Sequence, residues 1–163
     1  MVLKATPSGE YDRRLVILTR ERGKITAFAR GAKRPGNQLM AVSRPFVFGQ
    51  FRLFEGREAY SLQGAEISNY FTELSQDVES ACYGSYFLEL ADYYGRENID
   101  ATETLRLLYQ SLRALLKPSV PNRLVKPVYE LKLMEINGEY RELPLGRLND
   151  STLYAWQYVL AAP

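Results

Sequence analysis

The residues with the clearest chemical potential are cations interleaved with aromatic rings. In Lys24–Arg30 (KITAFAR), strand alternation puts Lys24, Thr26, Phe28 and Arg30 on one face and Ile25, Ala27 and Ala29 on the other. In Phe46–Phe54 (FVFGQFRLF), Phe48, Arg52 and Phe54 share a face. Cations between rings suit a groove for single-stranded nucleic acid, where bases stack and phosphates pair. In a small barrel the same alternation also builds a core, so Phe28, Phe48 and Phe54 carry both readings. Between the two runs lies a loop, GAKRPGNQLMAVSRP, in which Lys33 and Arg34 are placed to grip a phosphate backbone. Its Gly31 and Gly36 have the spacing of a nucleotide phosphate loop. Asn37 and Gln38 stand where that motif needs Lys and Ser or Thr, so nucleotide hydrolysis is rejected.

Other chemistries fall away by composition. The chain contains no His, which removes Ser-His-Asp and Cys-His nucleophilic sites, His metal sites and His proton shuttles. It contains one Cys, Cys82, which removes disulfide frameworks and Cys-based zinc or iron–sulfur sites. Glu10 and Asp12 form a carboxylate pair on which nothing else converges, so a carboxylate hydrolase is the weakest functional reading. The expectation is a protein that is not an enzyme and uses no metal or cofactor.

The charge distribution supports a polyanionic partner. The net charge is +2, but residues 1–60 hold twelve basic and five acidic groups, a net of +7, and residues 61–163 net −5. Ten of those twelve cations fall between residues 13 and 52. Such asymmetry points to nucleic acid or an acidic partner for the basic half.

The elements that must position these groups change character along the 163 residues. Met1–Thr6 reads as a strand stopped at Pro7-Ser8-Gly9, and Arg14–Thr19 (RLVILT) as a second. Arg20–Gly23 is a hairpin turn, and Lys24–Arg30, Phe46–Phe54 and Glu58–Ile67 complete five strands. Gly49 inside the fourth marks a bulge or bend. Five strands in so short a stretch suit a small barrel. After about residue 72 the period becomes helical. Thr72–Gly95 aligns Val78, Cys82, Tyr86, Leu90 and Tyr93, with Gly95 as C′ residue and Cys82 as a small buried hydrophobe. Thr102–Lys117 aligns Leu105, Leu108, Leu112 and Leu115. Asn122–Gly138 aligns Leu124, Val128, Leu131 and Glu135, and a last short helix spans Ser151–Ala161. The fold class is therefore α+β: a five-stranded β-barrel over 1–70, then an antiparallel α-helical bundle over 71–163. No apolar run approaches the roughly 18–20 residues of a membrane span, and the first residues carry no signal-peptide stretch. The expected compartment is the cytoplasm.

At this point the residues resemble a known family. Gly9-Glu10-Tyr11-Asp12-Arg13, Leu18-Thr19-Arg20-Glu21-Arg22-Gly23-Lys24-Ile25, Ala29-Arg30-Gly31-Ala32-Lys33-Arg34 and Pro45-Phe46 resemble, in order and spacing, the N-terminal domain of the bacterial RecO recombination mediators. Residues 81–92 (ACYGSYFLELAD) and 123–136 resemble the first and third helices of its second domain. The resemblance implies an OB-fold barrel, binding to single- and double-stranded DNA, strand annealing, and help in loading recombinase onto DNA coated by single-strand-binding protein. It implies RecR protein and the C-terminal tail of single-strand-binding protein as partners, and a nucleoid-associated location. Arg30, Lys33 and Arg34 match the family motif, with Arg13, Arg20 and Lys24 nearby; with Arg52 these are the expected DNA contacts, and Phe28 and Phe48 the candidate stacking residues. The chain departs from the family in lacking the four-cysteine zinc site, in beginning within the expected first strand and in ending at residue 163, which reads as a shortened bundle. The competing reading is an interaction adaptor, in which the bundle binds a partner peptide and the barrel is scaffold.

Overall fold

In a computed structural model of the chain, residues 1–139 and Val159 are described. They form strands β1 (Val2–Ser8), β2 (Asp12–Thr19), β3 (Gly23–Ala29), β4 (Phe48–Glu55) and β5 (Tyr60–Asn69), and helices α1 (Leu39–Val42), α2 (Val78–Tyr94), α3 (Thr102–Leu115) and α4 (Asn122–Ile136). The expected terminal helix over 151–161 lies outside the described residues except for Val159.

The chain divides into two compact units, Met1–Phe71 with Ala91–Ala101, and Thr72–Leu90 with Thr102–Pro163. In the first, the five strands run in the order β1-β2-β3-β5-β4, which is OB-fold topology. All neighbours are antiparallel except β3 and β5, which pair in parallel at Ala27–Tyr60 and Phe28–Ser61. The sheet curls so that its edges meet without a full ladder. Val2 N–H donates to Val47 O (2.9 Å) and Phe46 N–H to Val2 O (3.0 Å). Val2, Leu15, Ile17, Ile25, Ala27, Ala29, Val47 and Leu62 fill the interior, as the alternation of β3 predicts, and Phe51 and Leu53 pack against them.

The remaining details of the first unit follow from local sterics. β1 runs through Pro7, which pairs with Arg13; an edge strand tolerates the missing N–H. The ladder slips at Phe48/Gly49 as the glycine predicts, and a Cβ on Gly49 would sit 2.2 Å from Glu66 O. The loop expected over 31–45 contains the helical turn α1, begun by Asn37, whose Oδ1 accepts Leu39 N–H at 2.8 Å.

In the second unit, a 3-10 turn (Thr72–Gln76) leads into α2. Asp77 caps this helix, its carboxylate accepting both Ser80 N–H (2.8 Å) and Ser80 Oγ–H (2.6 Å). These bonds hold the Asp77 carboxyl below its ordinary value. The core is knit by Tyr129, fully buried in α4, whose ring stacks on Phe87 at 4.3 Å and whose hydroxyl donates to Phe87 O at 2.8 Å. Burial pushes the Tyr129 phenol upward.

The expected stripe of α2 is corrected. Val78 and Tyr93 are about four-fifths exposed and Cys82 is exposed; Phe87 and Leu88 are buried instead. Apolar and aromatic residues occur on every side of α2, so spacing alone could not select the covered face. Gly95 ends α2 without the left-handed conformation expected of a C′ glycine; a Cβ there would press on Ala91 O at 2.8 Å. Gly138 does take that conformation, with φ of 78°. In α3, Leu108, Leu112 and Leu115 are buried as expected, but the covered face is broader, including Thr104, Leu107, Gln110 and Ala114. In α4 the buried set is Val125, Val128, Tyr129 and Leu133, and the helix carries Pro127 within its second turn.

Candidate nucleic-acid interface

The register of the first unit assembles a row that sequence spacing could not show. Thr6 pairs with Arg14, Arg14 with Phe28, Phe28 with Ser61, and Ser61 with Phe54. Residues in register across a sheet share a face. Arg14, Phe28 and Phe54 therefore lie on one line across four strands, on the side opposite Leu15, Ala27 and Leu62 of the core. Phe54 is 67% exposed and Arg14 is exposed, while Phe28 is half-buried. Arg52, two residues from Phe54, is exposed and lies across β5: a Cβ at Gly64 would be 2.7 Å from its Nη2. The row thus runs from a cation on β2 through a ring on β3 and Ser61 on β5 to a ring on β4, with Arg52 beside that ring on the same strand.

Beyond the end of β3 the alternation carries Arg30 to the side of Phe28, and the chain enters the basic loop. Three consecutive residues of the β1–β2 turn and the start of β2 hold that loop. Tyr11 O accepts Lys33 N–H at 2.8 Å, and the Arg34 guanidinium lies 4.8 Å from the centre of the Tyr11 ring. Asp12 Oδ1 accepts Gly31 N–H at 2.7 Å. Arg13 donates from Nη1 to Met40 O and to Ser43 Oγ, each at 2.9 Å. Gly31, at φ of 68°, makes the reversal that brings the loop back onto Tyr11. Arg30, Lys33 and Arg34 stay exposed, and no carboxylate among the described residues forms an ion pair with them.

The other candidates separate from this cluster. Arg13 is spent inside the fold, fixing α1. Lys24 is half-buried, its Nζ donating to Asp92 O at 2.7 Å and pairing with Asp92 Oδ1 at 3.1 Å. Arg20 is exposed at the β2–β3 turn, eight residues along the chain from Asp12 at the base of the basic loop, roughly 27 Å at about 3.4 Å per residue. Its neighbour Arg22 donates to Tyr60 Oη at 3.0 Å and pairs with Glu55. Phe28 and Phe48 do not form one platform. Phe28 is in register with Ser61, whereas Phe48 faces Asn69 at the far end of β5. The residue that sequence reasoning left out is Arg14, and it named Phe48 rather than Phe54 as a stacking candidate; only the register of four strands places Arg14 and Phe54 in line with Phe28.

A groove of about 300 Å³ beside the row is lined by Lys4, Arg14, Val16, Thr26 and Lys24, with Asp92 and Glu97 at its far side. Of its three cations only Lys24 is paired with one of its acids, Asp92, which leaves Lys4 and Arg14 without an ion pair among the described residues. Among the described residues no group of three or more His, Cys, Asp or Glu is placed to hold a metal, and no helix is long and apolar enough to cross a membrane.

Comparison with known proteins agrees with this topology. Residues 1–71 match the family described as recombination protein O N terminal, and residues 75–143 match recombination protein O C terminal. The chain belongs to the RecO family. It is 36% identical over 137 residues to the DNA repair protein RecO of Alkaliphilus metalliredigens (strain QYMF), covering 84% of this chain and 56% of that protein. It is 31% identical over 143 residues to the DNA repair protein RecO of Bacillus subtilis (strain 168), covering 88% of this chain and 56% of that one. The chain thus spans about half the length of the curated RecO relatives it matches. The two RecO matches divide between residues 71 and 75, where β5 has ended and the 3-10 turn begins.

Proposed function

We propose that this chain acts in DNA repair as a non-enzymatic DNA-binding and strand-annealing factor, with its first unit as the DNA-binding part. The observation that carries the reading is the continuous surface formed by Arg14, Phe28, Phe54 and Arg52 on the sheet and Arg30, Lys33 and Arg34 beside it. An exposed ring beside a half-buried one, with cations that have no carboxylate partner among the described residues, matches what an unpaired strand offers: stackable bases on a charged backbone. OB-folds bind oligonucleotides on the face of strands two and three, and this row crosses those strands. Annealing requires no general acid or base, only two strands held close with their repulsion screened.

Within this reading, family membership supports help in loading recombinase onto DNA coated by single-strand-binding protein. RecR protein and the tail of single-strand-binding protein are then the protein partners, and the cytoplasmic nucleoid the place of action. A fluorescent oligo-dT titrated by anisotropy across a salt series tests the DNA-binding core of the proposal. The expected result is micromolar or tighter binding at low salt, with log K falling linearly against log salt at a slope that scales with the phosphates engaged. Absence of binding at low salt would overturn it and leave the adaptor reading.

A further inference from the structure

We infer that Asp12, an acidic residue within the basic cluster, is a positioning residue that holds the cationic loop in its binding shape, so that removing its negative charge together with its hydrogen bond weakens DNA binding. The inference rests on the DNA-binding reading above. By Coulomb's law alone, a carboxylate beside Arg30, Lys33 and Arg34 opposes a polyanion, and its loss should strengthen binding. The geometry assigns it another role. Asp12 Oδ1 accepts the N–H of Gly31, the residue at which the chain reverses at positive φ between Arg30 and Lys33. The residue before it grips the next turn of the loop: Tyr11 O accepts Lys33 N–H and the Tyr11 ring lies under Arg34. The residue after it, Arg13, ties down Met40 and Ser43 at the loop's far end. Residues 11–13 thus fix a segment that contains four exposed positions in a row, Lys33, Arg34, Pro35 and Gly36. Without these contacts the two cations would have to be ordered by the ligand, at a cost in backbone and side-chain entropy.

The argument separates charge from acceptor, and two variants of the full chain separate them experimentally. Asp12→Asn removes the charge but keeps a side-chain carbonyl oxygen for Gly31 N–H. Asp12→Ala removes both. Oligo-dT anisotropy across salt should find Asp12→Asn binding as tightly as the unaltered chain or tighter. Asp12→Ala should bind about fivefold or more weakly, with a salt slope reduced by about 0.7, one single-strand phosphate contact. Asp12→Ala binding equally or more tightly would overturn the inference, as would Asp12→Asn weakening binding as much as Asp12→Ala. Should Asp12→Ala fail to fold by circular dichroism, Tyr11→Leu and Tyr11→Phe make the same comparison for the Arg34 support. Loss with Leu and retention with Phe is expected; equal binding by both overturns it. The DNA-binding reading fails separately, if Lys33→Glu with Arg34→Glu leaves affinity unchanged.

Discussion

The two ends of β2 and β3 carry similar numbers of cations and use them differently. At the Arg20–Lys24 end, Lys24 is tied to Asp92 and Arg22 to Glu55 and Tyr60, so two of three charges are already answered inside the fold. At the Arg30–Arg34 end, the Asp12 carboxylate is turned onto a backbone N–H, no carboxylate among the described residues forms an ion pair with the cations, and the cations face water. Counting basic residues therefore does not locate a polyanion site. On the proposed reading, what locates it is where the protein has spent its own acids.

The largest expected effect tests this contrast directly. Reversing Arg30, Lys33 and Arg34 to Glu should weaken oligo-dT binding about 100-fold or more at low salt and flatten the salt dependence by about two in slope, read by anisotropy. The matching reversal of Arg20 and Arg22 should change affinity less than about threefold, the influence of a distant charge across a Debye length. Equal losses from the two ends would break the contrast. Phe54→Ala comes next: losing one base–aromatic stack, worth about 1–3 kcal/mol, should weaken binding about 5- to 150-fold with the salt slope unchanged. Phe48→Ala should leave binding alone, because Phe48 lies at the other end of β5.

A smaller effect comes from the second unit, where Asp77 does for α2 what Asp12 does for the loop. Asp77→Ala should lower the melting temperature by a few degrees at neutral pH through loss of the cap. Hydrogen bonds to Ser80 depress the Asp77 carboxyl in the folded state, so its contribution is full above the ordinary value of 3.8 and is lost as pH falls through the depressed one. The gap between the two proteins in thermal scans should therefore close only in strong acid. The smallest expected effect is Lys24→Met, which should cost about 1 kcal/mol of stability in urea through its partly exposed pair with Asp92, while changing DNA affinity less than about twofold.

Much of the fold was legible in the sequence because its signals were local. The alternation in KITAFAR fixed which residues of β3 enter the core, and Gly49 marked the slip in β4. The proposed binding surface was legible only in part. The loop cations announced themselves by type, but whether Lys24 was free depended on Asp92, sixty-eight residues away. Phe28 and Phe54 fall in line through a parallel β3–β5 pairing that no local pattern encodes. In α2, apolar residues on all sides left the phase undetermined, which is why Cys82 read as buried and is exposed.

The most direct test of the central claim is amide chemical-shift mapping of the full chain with oligo-dT. The account predicts that shifts concentrate at Arg14, Phe28, Arg30, Lys33, Arg34, Arg52 and Phe54. Shifts centred instead on Arg20–Lys24, or confined to the helices, would contradict it.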